Sequence, residues 1–434
     1  MAEADATPPT QSLEPLSASA AAATQALDPV MEGEMKAAAG ARATPWSRLS
    51  CDLVELIFSY LPLRSVVVAG AVCRQWRALV SDPGFAAGAA AYRRRRPWFF
   101  LYGQNNVVLS KNQAFGFDPD DGEWIALPSS PSALHVDCFA GAGGFFFATT
   151  SSTRFCYAPL LRGPWRETSP LFFSRCNPLV GVFFAAGGHR RFVVVGGARF
   201  IGGLVDIEDP LAVEIYDLET DSWELCPPLP PEFRIGNSSQ WLSAALLGGR
   251  FFFVFGIYSC SIAAFDLSRR AWTGVRVLRP PGVLFSFLLA CGDRLILAGL
   301  CNTPVGPPCF ALWAVDHCSM DFAEIGVMPR DLLSCLFDTD DDDNKFASLK
   351  CVGLDGLVYV FNEDHHKAYP ACVCEISDGS AAKRADSTSG LNLSCSWRKV
   401  PPLPGPVDRF HKVIAFSSPV PADSVLGGGV DREP

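Results

Sequence analysis

A surplus of basic charge is missing from this sequence. Lys and Arg number 36 against 45 Asp and Glu, a formal net charge of −9. That balance argues against a general nucleic-acid binder, which carries a basic face. Uninterrupted apolar runs of membrane-spanning length are also missing. The longest candidate, Val283 to Cys301, is broken by Asp293 and Arg294, whereas a spanning helix needs about 20 mostly apolar residues. The opening residues MAEADATPPT hold acids and no basic run, so neither a secretory signal nor a transit peptide is expected. Histidine is scarce, and no Gly-rich phosphate loop, nucleophile elbow or metalloprotease helix appears. Charged residues make up only 19% of the chain, below the ~25% usual in soluble proteins.

Apolar and aromatic residues fill that space: 49% of the chain is hydrophobic, with 32 Phe, enough to bury a large core. The 16 cysteines are scattered, several inside apolar runs (Cys138, Cys291, Cys351). They read as small buried hydrophobes carrying thiols in a reducing compartment, so a cytoplasmic or nuclear location is expected.

Residues 1–43 are rich in Ala, Pro, Glu and Thr and bury too little apolar surface to offset their ordering entropy; a disordered tail is expected. The texture changes at 44–84. Leu53, Leu56, Ile57, Tyr60 and Leu61 recur at helical spacing. Ser50 is placed to cap that helix and Pro62 to end it. A second helical run is expected over Ser65–Ala71 and a third through Val72, Trp76 and Leu79, stopped by Pro83-Gly84. About forty residues is near the lower limit for independent stability, so this segment needs a partner surface. Residues 85–96 read as a connector whose run Arg93–Arg96 is a solvated face or an import signal.

From 97 to 417 short apolar runs alternate with Gly, Pro and Asp, an all-β texture. Phe117-Asp118 with Trp124, Tyr216-Asp217 with Trp223, Phe265-Asp266 with Trp272, and Val315-Asp316 with Phe322 share one register. Each reads as a hairpin: the strand ends at Asp, whose carboxylate bonds the turn backbone, and the aromatic starts the returning strand and plugs the interior. Tyr157 with Trp165 is a looser copy, and Trp397 heads a sixth. A Gly-Gly doublet follows a strand intact only at Gly196-Gly197. A period near ~50 with four strands per unit fits a β-propeller. The run 408–416 has no unit of its own and is expected to complete the first, removing open edges. That gives six blades, with a disordered tail over 418–434.

On these motifs 97–417 resembles kelch repeats. The helical segment resembles an F-box, through Leu49, Leu53, Ile57, Leu61-Pro62, Val72-Cys73, Trp76 and Phe85. Ser50 stands where the family usually has Pro, and Phe322 where a repeat usually has Trp. The combination is similar to the F-box/kelch-repeat proteins of plants. The resemblance implies a mostly β chain with a six-bladed propeller behind a small all-α domain. It further implies a non-catalytic substrate receptor of an SCF-type cullin–RING ubiquitin ligase. Leu49, Leu53, Ile57, Leu61, Pro62, Cys73 and Trp76 would then dock a Skp-type adaptor, each large side chain contributing ~1.5–3 kcal/mol. Asp118, Trp124, Trp165, Gly196, Gly197, Asp217, Trp223, Asp266, Trp272, Asp316 and Trp397 would be structural repeat residues. The propeller would recruit a protein substrate. The alternative is a kelch scaffold without a role in ubiquitylation. An extension at 199–210 and an acidic loop over 338–343 vary the propeller surface. The acidic loop lacks the spacing of a calcium site. His135 and His411 are read as structural. His365-His366 alone is too little for a metal site, and Cys372 with Cys374 lacks a second pair. No metal, cofactor, nucleic-acid partner or membrane is expected.

Overall fold

The computed structural model describes residues 49–82, 84–85, 96–105, 108, 111–127, 138–149, 153–161, 164–185, 187–198, 200–201, 204–206, 211–236, 241–302, 306–337, 345–365, 368–378 and 393–420. The expectations for 1–43, for Arg93–Arg95, for His135 and for the acidic loop 338–343 lie outside them. By its contacts the chain separates into Met1–Glu55 and Leu56–Pro434. No helix among the described residues is long and apolar enough to cross a membrane.

Three helices come first: α1 Cys51–Ser59, α2 Leu63–Val72 and α3 Arg74–Val80. Ser50 Oγ accepts the Leu53 N–H at 3.3 Å, satisfying one of the orphan donors of a first turn. Pro62 precedes α2 in extended backbone, where its missing N–H costs nothing. The α2–α3 boundary differs from the pattern-based expectation. Val72 closes α2, and Cys73 adopts extended backbone with its Sγ accepting the Trp76 N–H at 3.4 Å. A thiol here does the work usually given to Ser or Asp, so composition did not mark the break. Val66, Val80 and Phe85 are buried, and the Phe58 and Trp76 rings meet edge to face at 5.0 Å.

The remainder is mostly β, in antiparallel meanders. The first sheet runs β27-β1-β2-β3, with β1 Trp98–Gln104, β2 Gln113–Asp118, β3 Glu123–Leu127 and β27 Lys412–Ser418. The second holds β4 Cys138–Ala142, β5 Phe145–Thr149, β6 Phe155–Pro159 and β7 Arg166–Glu167. The third holds β8 Leu179–Phe184, β9 Arg190–Val195, β12 Val213–Asp217 and β13 Ser222–Cys226. A short hairpin, β10 Phe200–Ile201 with β11 Leu204–Val205, is inserted after β9. The fourth comprises β14 Leu242–Leu247, β15 Phe251–Gly256, β16 Ser261–Asp266, β17 Ala271–Trp272 and β18 Arg276–Val277. The fifth is eight-stranded. Its meander β19 Val283–Cys291, β20 Arg294–Cys301, β21 Cys309–Val315, β22 Phe322–Val327 adjoins a second one, β23 Leu349–Leu354, β24 Leu357–Asn362, β25 Ala371–Asp378, β26 Leu393–Lys399. A single parallel pair, Ala290 with Leu354, joins them. The apolar run from Val283 to Cys301 is thus a hairpin turning at Gly292-Asp293.

Apolar clusters fill the space between successive sheets. Tyr102 meets Phe139 between the first and second. Phe147 meets Phe192 between the second and third, and Val195 shares a cluster with Val254 between the third and fourth. Ala245 and Leu297 join the fourth to the fifth, and Phe287 and Val360 join the two halves of the fifth. The packing then returns to its start: Phe99 of β1 stacks on Tyr359 of β24 at 4.5 Å. This is a propeller-like arrangement. The chain end closes it, since β27 pairs with β1 from Trp98↔Ser418 to Gln104↔Lys412. Ser418 is fully buried and its Oγ accepts the Gly144 N–H at 2.7 Å, so the ordered chain extends past 417. Gly141 of β4 is required by close approach, because a Cβ there would lie 2.2 Å from the Phe416 ring of β27.

Candidate functional site

The helical segment exposes what a small domain would ordinarily hide. Leu53 is 48% exposed, Tyr60 58%, Val68 60% and Val72 63%, with Leu56, Ile57 and Val67 also open. Of the residues expected to dock a partner, Leu53, Ile57 and Cys73 are exposed, whereas Leu49, Leu61, Pro62 and Trp76 are half-buried. Leu56 and Val72, which share the helical apolar pattern, are exposed as well. Tyr60, Val67 and Val68 were missed as docking candidates. Periodicity marks a helix with apolar faces but does not say which face finds a partner within the chain.

In the β region the repeat residues build one recurrent turn. Phe117 lies opposite Trp124, Tyr216 opposite Trp223, Phe265 opposite Trp272 and Val315 opposite Phe322. Each Asp carboxylate accepts turn N–H groups: Asp118 from Asp120 at 2.9 Å, Asp217 from Glu219 at 3.0 Å, Asp266 from Ser268 at 2.9 Å, Asp316 from Cys318 at 2.8 Å. The fourth residue after each Asp has positive φ: Gly122, Asp221, Arg270 and Met320. Trp165 falls out of this register, since Tyr157 faces Arg166, and Trp397 faces Cys374.

These tryptophans are half-buried against the apolar clusters. Three indoles also reach out to the neighbouring sheet. Trp124 Nε1 donates to Pro401 O at 2.8 Å, Trp223 Nε1 to Ser169 O at 2.8 Å, and Trp272 Nε1 to Pro227 O at 3.1 Å. In every case the acceptor follows the outermost strand of the preceding sheet. Gly196 and Gly197 have φ of +60° and +93°. A Cβ on Gly197 would lie 3.1 Å from Cys176 O, so the doublet admits the segment around 175–178.

The four Asp differ electrostatically. Burial pushes Asp118 up to about 6, helped by Asp120 and Asp121. The Arg250 guanidinium, 2.8 Å away, holds Asp266 down at about 2. Turn N–H groups lower Asp217 and Asp316. Connections at one end of the innermost strands carry exposed apolar groups that the sequence did not single out. Trp241 and Tyr258 are 49% and 42% exposed with rings 5.5 Å apart, and Tyr258 abuts Phe285. The opposite end holds a cleft of about 540 Å³ whose mixed lining includes Arg96, Asp293, Arg294, Asp355 and Ile376. His411 precedes β27 rather than lying in it, its N–H bonded to Gln104 O at 2.8 Å. Cys372 and Cys374 are core residues. Among the described residues no cluster of three or more His, Cys, Asp or Glu could hold a metal ion.

Comparison with known proteins gives this geometry a context. The profile of the F-box domain matches residues 46–87. The chain carries an F-box domain. Along most of its length it is similar to an F-box/kelch-repeat protein of Arabidopsis thaliana, at 29% identity over 82% of this chain and 85% of that protein. It is similar at 23% identity to F-box only protein 6 of the same plant, over 73% of this chain and 64% of the relative. A further F-box/kelch-repeat protein of that plant shares 19% identity over 80% of this chain and 75% of its own length. The helices with the exposed apolar side chains are therefore the F-box, and the meanders with the Asp and Trp turns are the part that resembles kelch repeats.

Proposed function

We propose that this chain is the non-catalytic substrate-recognition subunit of an SCF-type ubiquitin ligase. Its F-box docks a Skp-type adaptor and its β domain recruits a protein substrate. One observation carries the reading: the F-box match over 46–87 coincides with helices that leave Leu53, Ile57, Tyr60, Val68 and Val72 open to solvent. These five side chains are already partly covered, so docking gains about half of the ~1.5–3 kcal/mol of full burial from each. That gain outweighs an association cost of roughly 4–15 kcal/mol only if the helices stay preorganised and that cost is at its low end. The Ser50 and Cys73 caps serve that requirement. Cys73 and Trp76 contribute by holding α3, more than by contact.

The meanders form a six-bladed propeller. The reading rests on six meander units, five of four strands and one of five, with the eight-stranded sheet counted as two. The F-box covers 44–84, and the propeller runs from 97 through the closing strand to 418. A propeller closed by its last strand is a stiff platform for loops, and loops on a rigid scaffold carry recognition. Trp241, Tyr258 and Leu284 are the receptor surface, because aromatic side chains dominate binding hot spots. The subunit acts by raising the effective concentration of substrate beside the ubiquitin-carrying enzyme, in the cytoplasm or nucleus.

The test is co-purification of the full chain with a Skp-type adaptor, beside Ile57→Asp and Val68→Asp variants whose folding is checked by circular dichroism. Stoichiometric adaptor with the parent and at least a tenfold loss with folded variants is expected. Adaptor binding unchanged by either charge refutes the docking face. No binding by the parent chain refutes the ligase reading and leaves a propeller scaffold.

A further inference from the structure

We propose that Cys138 and Cys176 are a redox-responsive thiol pair that closes to a disulfide across the junction of the second and third sheets. Their Sγ atoms stand 2.8 Å apart although 38 residues separate them in sequence. Both carry thiols. Cys138 opens β4, held opposite Thr149. Cys176 is fixed by a two-way backbone bridge to Ala198, at 2.8 and 2.9 Å. Two sulfurs brought together on separately anchored backbones can bond with little rearrangement.

The surroundings favour a thiolate. The Asn177 N–H donates to Cys138 Sγ at 3.2 Å, and Lys412 of β27 bonds Asn177 Oδ1, which brings its ammonium beside the pair. The Cys176 thiol is the largest influence, and with Lys412 it outweighs burial and holds Cys138 down at about 6. Cys374 lowers Cys395 in a similar way, but no cation assists there, and two other close pairs lack the bias altogether. Cys301 and Cys309 face each other across β20 and β21, and burial raises both. Cys335 and Cys372 lie 3.9 Å apart, and burial raises Cys372. Reactivity follows thiolate character and access. Cys138 is buried whereas Cys176 is partly exposed, so the outer sulfur meets the oxidant and the inner one resolves.

The chemistry balances with a low-molecular-weight disulfide of the glutathione type as oxidant. One proton is shared across the sulfur pair, so either sulfur can act as the nucleophile. Cys176 passes its proton to Cys138 as it attacks one sulfur of the oxidant, forms a mixed disulfide and expels one thiolate, which takes that proton from Cys138. The Cys138 thiolate then attacks Cys176 Sγ, forms the intramolecular bond and expels the second. Two cysteine thiols lose two electrons and two protons, and the oxidant takes them up as two thiols. The product ties the innermost strand of the second sheet to the segment entering the third, beside the strand that closes the ring.

The test equilibrates the reduced full chain in buffers of stepped thiol-to-disulfide glutathione ratio, traps free thiols and maps peptides by mass spectrometry. The expected result is joint loss of trapping at Cys138 and Cys176 before any other cysteine. A cross-linked peptide lighter by two hydrogens than its two halves, and a raised thermal midpoint, should accompany it. Cys176→Ser should abolish the cross-link and the rise. Lys412→Met, folded by circular dichroism, should slow oxidation several-fold. Glutathione retained on Cys176 without cross-linking would overturn the proposal. So would closure of Cys301–Cys309 or Cys335–Cys372 at the same ratio, or a Lys412→Met variant that oxidises at the parent rate.

Discussion

Glu214→Gln should be among the most destabilising single substitutions in the β domain. Arg175 and Glu214 form an ion pair with side chains 2% and 0% exposed. The guanidinium also donates to Ala212 O at 2.8 Å and Gly196 O at 3.1 Å, and the second carboxylate oxygen accepts the Phe172 N–H at 2.8 Å. An amide has one acceptor where this site needs two: it can satisfy Arg175 or Phe172 but presents its own N–H to the other. It also leaves a buried cation facing only carbonyls. Breaking a buried pair from one side costs about 3–5 kcal/mol. Arg175→Met should cost about as much by stranding the carboxylate. The double variant Arg175→Met with Glu214→Leu should cost less than either single change, because no buried charge is left behind. The assay is chemical denaturation followed by Trp fluorescence, comparing midpoints at equal slope. A Glu214→Gln shift under about 1 kcal/mol, or a double variant equal to the sum of the singles, would refute the reasoning.

The indole contacts between sheets make a graded prediction. Trp124→Phe, Trp223→Phe and Trp272→Phe each remove one donated hydrogen bond and should cost about 1–2 kcal/mol. Trp397→Phe should cost less, since its buried Nε1 has no hydrogen-bond partner among the described residues; thermal midpoints rank the four. Gly141→Ala drives a Cβ into the Phe416 ring and should cost about 1–3 kcal/mol in the same assay. Asp118 is raised from 3.8 to about 6 by burial, so the folded state binds the extra proton. Its contribution to stability is therefore greatest below 3.8 and declines as pH rises through about 6. Asp118→Asn should flatten the stability profile over that window while its amide oxygen still accepts the Asp120 N–H. A profile that stays unchanged refutes the assignment.

The turns were legible in the sequence because everything they need is local. An Asp that bonds the next N–H groups, a positive φ four residues on, and an aromatic opposite the residue before the Asp all fit within one hairpin. Spacing alone can carry them. What spacing could not carry is where a side chain goes once it leaves its hairpin. The Trp acceptors lie 277, 54 and 45 residues away. The Arg175–Glu214 pair and the Cys138–Cys176 pair are equally remote in sequence, at 39 and 38 residues. The same limit governs the F-box. Its helices were legible from their periodicity, but periodicity did not show that Leu56 and Val72 would stand open to solvent.

Asp118 and Asp266 show why repeat residues say little about the function of a repeat protein. They occupy one register position, end equivalent strands and accept equivalent turn N–H groups. Yet one is pushed up to about 6 and the other held at about 2. The difference comes from their surroundings: burial without a cation, with Asp120 and Asp121 adding to it, in one turn, and Arg250 across the strands in the other. A repeat specifies the backbone of each unit and leaves the neighbouring side chains free to vary. Charge and shape at the ends of the sheets can therefore change without disturbing the turns. Trp241 and Tyr258, the exposed aromatic pair at one end of the sheets, lie at such variable positions, outside every repeat motif.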